Sequence, residues 1–439
     1  MVRGDPAAML LVLLLAFSLL KAWALAQSSE GLDYYQFWVV GRALARGEAG
    51  DVYSDESRVR LGRQFLLAAQ GPDASPRQRM AAQERAVLQT YSTPLLYSAL
   101  GALTSGSYES DYRVFQLLSL AAGVGAVALL ARLLGYSWLA TLAAAVVFSD
   151  WYEPFLSDVR VGNVNRLELG LLALFLWLRG GRQGRGRRVL GGAVLAFGVL
   201  FKPNLAFVVP LLAACWLLRR RREDFATAGA GLVLGMLLEL AWSSASFRSG
   251  ACWAGWMAGA ARIPEDITPV SAGNFALARL VADAWGFHVS AGLGGGLAAA
   301  TLVVLALGGR GQSEADEASG LLDDARMVAL GGLIWLLSAP LVWAHYLLLA
   351  VPAAVLALRP TSGRRGASRL VAAAATVTLM LNPLRAMGVV HGAGQMATAS
   401  VLGLAALWLV LLNDVYHAST FRGGPMGALV DGAFVRDVA

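Results

Sequence analysis

Four short polar stretches in this 439-residue chain carry residue types that can do chemistry, each set between apolar runs. The first is Gly31-Leu32-Asp33-Tyr34-Tyr35, followed by Phe37-Trp38, Arg42, Gly47 and Asp51-Val52-Tyr53. A carboxylate walled by aromatic rings at a membrane surface suits a general base, because partial desolvation raises a carboxylate's proton affinity. Asp33 would serve equally as a cap for the apolar helix that follows. The second stretch, Asp158-Val159-Arg160-Val161-Gly162-Asn163-Val164-Asn165, crowds a carboxylate, a guanidinium and two carboxamides together. Amides spaced two apart, Asn163 and Asn165, hydrogen-bond sugar hydroxyls or phosphate oxygens, and Arg160 can pair a phosphate in bidentate fashion. Capping by Asn165 is the alternative. Third is Phe201-Lys202-Pro203-Asn204, where a lone cation between apolar runs suits an anionic partner or snorkels to the headgroups. The fourth, Ser338-Ala339-Pro340-Leu341-Val342-Trp343-Ala344-His345-Tyr346, is a Pro-broken turn presenting His345 to donate to a phosphate, shuttle a proton or cap the next helix. Tyr34, Tyr35, Trp343 and Tyr346 are candidates for an aromatic wall or acceptor contact.

Metal ligation fits none of these stretches. No second histidine or carboxylate lies three or four residues from His345. Cys215 falls in an apolar run and Cys252 in a Trp-rich loop, which gives neither metal-ligand spacing nor a disulfide framework. His288 and His391 are isolated and read as structural or rim residues, while His417 sits near the polar tail. The loop holding Trp242, Trp253, Trp256, Arg262, Glu265 and Asp266 reads as an interfacial aromatic belt ahead of a sugar platform.

The elements that must position these residues are membrane helices. The composition is 57% hydrophobic and 15% charged with a mean hydropathy of +0.57, too apolar for a soluble domain, in which about a quarter of residues are charged. The net charge of +7 resides in short Arg clusters between apolar runs, the pattern of cytoplasmic loops and not of a nucleic-acid surface. A first run at 7–27 reads as an uncleaved span, although Ala24-Leu25-Ala26 imitates a cleavage site. Later runs lie near 113–134, 137–151, 166–179, 189–201, 204–218, 225–242, 289–308, 327–342, 343–358, 369–383 and 396–413. Those of about 12 to 15 residues need extension or burial among neighbours.

Arg179 with Arg182 through Arg188, Arg219 to Arg222, and Arg359 with Arg364, Arg365 and Arg369 belong inside, together with the amino terminus. That parity requires 91–104 to lie at the interface without crossing. The expected fold is therefore all-α, a polytopic transmembrane helical bundle of about twelve spans, with interfacial helices in a first outer loop at 28–112. Residues 1–415 form one transmembrane domain, and 416–439 a weakly ordered cytoplasmic tail. Both termini are cytoplasmic and the location is the cell membrane. All four polar stretches then share the outer side, with three of the four histidines. The acidic stretch from Gln312 to Asp324 reads as a solvated connector.

In their order, these stretches resemble glycosyltransferase family 87, the polyprenyl-phosphate-mannose-dependent transferases of the GT-C membrane superfamily. The resemblance runs from about residue 10 to 415. It comprises a first span, then Asp33-Tyr34-Tyr35 with Gly47 and Tyr53. A Tyr-x-x-Pro segment from Tyr91 to Pro94 and a Gly-x-x-Asn segment from Gly162 to Asn165 follow, then Lys202-Pro203 and the turn from Ser338 to His345. Two positions depart from the family's pattern: Thr93 stands for a proline, and Asn163 for a glutamine.

The resemblance implies transfer of a hexose, with mannose the expected sugar, from a polyprenyl-phosphate donor to an acceptor hydroxyl at the outer face. The acceptor would be a glycolipid or glycan. Asp33 would deprotonate it while Lys202, Arg160 and His345 stabilise the leaving phosphate. A donor with a single phosphate needs no bridging Mg²⁺, so no cofactor is expected. A secondary transporter or a lipid-linked sugar flippase is the rival class, but a transporter's polar groups cluster near the midplane of related halves, which this sequence does not show.

Overall fold

The computed structural model describes residues 5–48, 51–180, 184–262, 268–287, 289, 292–308, 317–359 and 366–417. The expectations for Arg3, Arg182, Glu265, Asp266, His288, Glu314, Asp316, Arg364, Arg365 and the tail beyond His417 lie outside the described residues. The described residues form α-helices joined by 3-10 turns, with no strand among them and one isolated bridge between Tyr152 and Leu381. The protein is an all-α polytopic helical bundle.

Each apolar run lies on a helix. Among the described residues, four are long and apolar enough to cross a bilayer alone: α1 (Pro6–Ser28), α6 (Tyr108–Leu133), α12 (Arg222–Phe247) and α20 (Ala393–His417). The buried residues of α1 are the small Ser18, Ala22 and Ala26, and the large apolar side chains around them face outward, as suits lipid contact. Shorter apolar helices are α7 (Trp138–Trp151), α15 (Leu293–Gly308), α18 (Gly366–Met380) and the Ala344–Ala357 segment, whose second half is α17 (Val351–Ala357). Helix α10 (Arg185–Phe201) meets the segment leading into α11 (Val208–Leu218) at 120°, with Lys202 at the break.

Between α1 and α6, the described residues of 29–107 form four short helices: α2 (Leu32–Ala45), α3 (Asp55–Ala68), α4 (Pro76–Glu84) and α5 (Pro94–Ala102). Ser54, Ser75 and Thr93 each accept a backbone N–H at the start of the following helix, and Pro76 and Pro94 open theirs, where the missing N–H costs nothing. At nine residues, α5 is about 14 Å long and cannot cross a bilayer. It packs on α2 through two glycines, since a Cβ on Gly41 would lie 2.8 Å from Gly101 Cα. With part of α6 these helices enclose their own apolar cluster, separate from that of the main bundle.

The main cluster centres on α16 (Glu317–Ser338), where Met327 to Leu330, Leu333, Ile334, Leu336 and Leu337 are all buried. A helix apolar on every side belongs inside a bundle. Gly331 brings it against the backbone of α11, since a Cβ there would meet Val208 Cα at 2.8 Å.

One expectation fails at the start of α16. Asp323 and Asp324 are not part of a solvated connector: they are buried on the helix. Asp324 pairs with Arg179 at 3.0 Å, on α9 (Asn165–Arg179), and with Arg221 at 2.8 Å, and it accepts from Trp216 Nε1 at 2.8 Å. Asp323 pairs with Arg326 at 2.8 Å. Arg179 and Arg221 arrive from α9 and from the turn after α11, so Asp324 is neutralised by partners remote in sequence, while Arg326 pairs with Asp323 from the same helix.

Candidate active site

At the other ends of α9 and α16 the polar stretches converge. Two glycines in the left-handed region make this possible: Gly31 (φ +67°), before α2, and Gly162 (φ +68°), between α8 (Glu153–Val161) and α9. A Cβ on Gly162 would lie 2.9 Å from Tyr34 Cβ and 3.5 Å from Gly31 Cα. This contact joins the start of α2 to the α8–α9 turn and sets Asp33 beside Asn163.

Neither Asp33 nor Asn165 caps its helix, since the N-cap positions of α2 and α9 are Gly31 and Val164 and no side chain bonds there. Their polar atoms serve a tertiary network instead. Asn163 Nδ2 donates to Asp33 Oδ2 at 2.7 Å, and its Oδ1 accepts from Lys202 Nζ at 3.1 Å. Lys202 Nζ also donates to Asn165 Oδ1, whose Nδ2 donates to Asp158 Oδ2 at 2.9 Å. Asp158 pairs at 2.6 Å with Arg166, which donates to Gln116 at 2.9 Å; all three side chains are buried. Arg85, just past α4, reaches Asp33 Oδ1 at 3.4 Å.

An ammonium has three N–H donors. Lys202 spends two on carboxamides and lies 4.0 Å from the Tyr346 ring centroid, which leaves one donor for an anion. Burial lowers the lysine's pKa, and the carboxylates of Glu168, Asp158 and Asp33 act against that shift. Glu168 is buried one turn into α9 behind Asn204, whose Nδ2 is 3.5 Å from it.

These groups open onto a cavity of about 580 Å³. Asp33, Gln36, Gln89, Asn163, Lys202 and Asn204 give it polar lining. Phe207, Gly294, Trp335, Ala339, Leu341, Trp343 and Tyr346 give it apolar and aromatic lining. Among the described lining residues Asp33 is the one carboxylate and Lys202 the one cation.

Other candidates fall elsewhere. Arg160 does not line the cavity; its guanidinium pairs with Glu153, two turns back on α8, and is 43% exposed. Its expected partnership with phosphate therefore has no support in the geometry. Tyr34 and Tyr35 are buried in an aromatic cluster with Trp38, Tyr108, Tyr112 and Phe115, behind the cavity wall and not in it. His345 is buried with Nε2 unpartnered, 3.8 Å from Asp33 Oδ2, so it faces the carboxylate. Neither His345 nor any other side chain caps the 3-10 turn it opens. Gln36, Arg85, Gln89 and Arg166 join the site without being singled out in the sequence, and Trp256, read there as part of an interfacial belt, lines the cavity. Gln36 had a local signal, its i+3 spacing from Asp33 on a helix; Arg85 and Gln89 had none.

With this geometry in view, the comparison with known families is decisive. The model of glycosyltransferase family 87 matches residues 92–328, more than half of the chain. The chain belongs to glycosyltransferase family 87. No curated protein and no solved structure matches it. As a family 87 member the protein is a membrane glycosyltransferase. The matched segment holds Asn163, Asn165 and Lys202. Asp33, Trp343, His345 and Tyr346 lie outside that segment, and the glycosyltransferase's fold carries them to it.

Proposed function

We propose that this glycosyltransferase moves a hexose, mannose, from a polyprenyl-phosphate donor to an acceptor hydroxyl at the outer face of the cell membrane, with Asp33 as general base. The observation that carries the reading is the Asp33–Asn163–Lys202 chain in the wall of a cavity that has both polar and apolar lining. The apolar residues suit the isoprenoid chain and the polar ones the sugar.

In the reaction, Asp33 takes the proton of the acceptor hydroxyl as its oxygen bonds to the anomeric carbon. The bond from that carbon to the phosphate oxygen breaks, and the electron pair leaves with the lipid phosphate. Lys202 faces the charge that develops there, and its carboxamide partners fix it in place before reaction. His345 stands behind Asp33 and supports the position of the carboxylate.

The leaving group is already a stabilised anion, so transfer proceeds without a bridging metal. Activity is expected to be retained in EDTA, and a loss restored by Mn²⁺ or Mg²⁺ overturns that part of the reading. The Arg179–Asp324 cluster at the far ends of α9 and α16 supports an orientation with that end, and both termini, cytoplasmic.

Transfer from radiolabelled polyprenyl-phosphate mannose to lipid acceptors in membranes tests the proposal. Asp33→Asn is expected to lower the rate about 10²- to 10⁴-fold; undiminished transfer removes Asp33 as the base.

A further inference from the structure

The polar lining of the cavity holds more than the proposed chemistry uses. Gln36 lies one turn along α2 from Asp33, on the same face, and its Oε1 accepts from Gln89 N at 2.5 Å, which leaves its amide N–H groups as donors. The segment from Gln89 to Thr93 is held from several directions. Thr90 Oγ1 donates to Val52 O at 2.9 Å, Tyr53 Oη to Ser92 O at 3.0 Å and Trp256 Nε1 to Tyr91 O at 3.0 Å. Thr93 Oγ1 donates to Phe201 O at 2.9 Å, next to Lys202. With its N–H committed, Trp256 has only its ring to offer the cavity that it lines.

We propose that Gln36, Gln89 and Trp256 form the acceptor subsite and that the acceptor presents a sugar ring there, one hydroxyl directed at Asp33. This rests on the proposed transfer reaction and names its second substrate by class. Carboxamides match vicinal hydroxyl pairs as combined donors and acceptors, and an indole face takes the apolar C–H face of a pyranose or furanose. No cation among the described residues lines the cavity apart from Lys202, so an anionic headgroup has no dedicated partner. A simple alkanol would leave two amides unpaired, which costs free energy in a partly buried site. The pinned backbone preorganises the subsite.

Saturation-transfer NMR on the full chain in lipid nanodiscs tests this without donor. The probes are mannotriose, maltotriose and arabinotriose, beside a Ser/Thr-rich heptapeptide. At least one trisaccharide is expected to receive saturation at its ring protons. Trp256→Ala and Gln89→Ala are expected to weaken that binding about tenfold or more, while Trp256→Phe, which keeps a ring, retains most of it and controls for folding. Binding of no trisaccharide, preference for the peptide, or equal binding by wild type and both alanine variants overturns the proposal. Sugar binding by a wild-type protein that transfers nothing from polyprenyl-phosphate mannose would instead count against the donor reading and leave the subsite standing.

Discussion

Asn163 Nδ2 lies 2.7 Å from Asp33 Oδ2, a hydrogen bond between residues 130 positions apart in the chain. The same carboxamide accepts from Lys202, so one side chain fixes the spacing between proposed base and proposed phosphate ligand. Asn163→Ala removes that link and leaves Lys202 held by Asn165 and Asp33 by Arg85. A misplacement of about 1 Å costs on the order of 10²-fold in rate, so that is the fall expected in kcat, with far-ultraviolet circular dichroism unchanged. A variant that transfers at the wild-type rate shows that the spacing does not matter.

Lys202 and Arg160 were alike in the sequence, as cations beside apolar runs, and the structure separates them. Lys202→Met removes the one cation among the described residues of the cavity wall and is expected to lower kcat about 10²- to 10³-fold, the usual effect of losing a charge-stabilising donor. Arg160 pairs with Glu153 at a half-exposed position, and such pairs contribute about 0 to 1 kcal/mol. Arg160→Ala is therefore expected to leave kcat/KM within about threefold of wild type. Steady-state kinetics on both variants decides it; a large loss with Arg160→Ala would return that residue to the donor site.

The contrast shows what the sequence could convey. Apolar runs report helices directly, because lipid and a buried core demand the same side chains over many consecutive residues. Convergence of Asp33, Asn163, Asn165 and Lys202 was legible because each interrupts such a run and all fall at one side by the Arg pattern. Orientation within a stretch was not legible. Arg160 and Asn163 are three residues apart, yet the helix ends at Gly162 in between, and its left-handed backbone sends Asn163 to Asp33 and leaves Arg160 on α8. Asp323 and Asp324 misled for a related reason: a local count of acids registers charge but not the arginines that other helices bring to it.

That buried cluster gives a stability prediction independent of catalysis. Asp324→Ala leaves Arg179 and Arg221 facing a gap, and breaking one side of a buried pair costs about 3 to 5 kcal/mol. Asp224 remains bonded to both arginines, at 2.9 and 2.7 Å, which places the expected loss near the lower end, about 3 kcal/mol. Unfolding of the purified protein in a denaturing detergent titration measures it. Glu223→Gln, at an exposed pair with Arg185 and Arg188, is the control that should leave the midpoint where it was. Equal midpoints for all three proteins would show that the cluster is not structural.

The count of carboxylates in the cavity predicts the stereochemistry of transfer. Retention of configuration at a sugar commonly runs through two displacements, with one carboxyl group as nucleophile and a second exchanging protons from about 5 to 5.5 Å away. Among the described residues the cavity wall supplies Asp33 alone; Asp158 and Glu168 are buried behind Asn165 and Asn204, with Asp158 tied to Arg166. If Asp33 were the nucleophile, nothing in the wall would remain to activate the acceptor. A single displacement with Asp33 as base needs no second carboxylate, because the lipid phosphate departs as a stable anion. The product's anomeric configuration is therefore expected to be opposite to that of the donor. The one-bond C1–H1 coupling of product made from ¹³C-labelled donor reads the configuration directly, and retention would require a second carboxylate beside Asp33, which the described residues of the cavity wall do not provide.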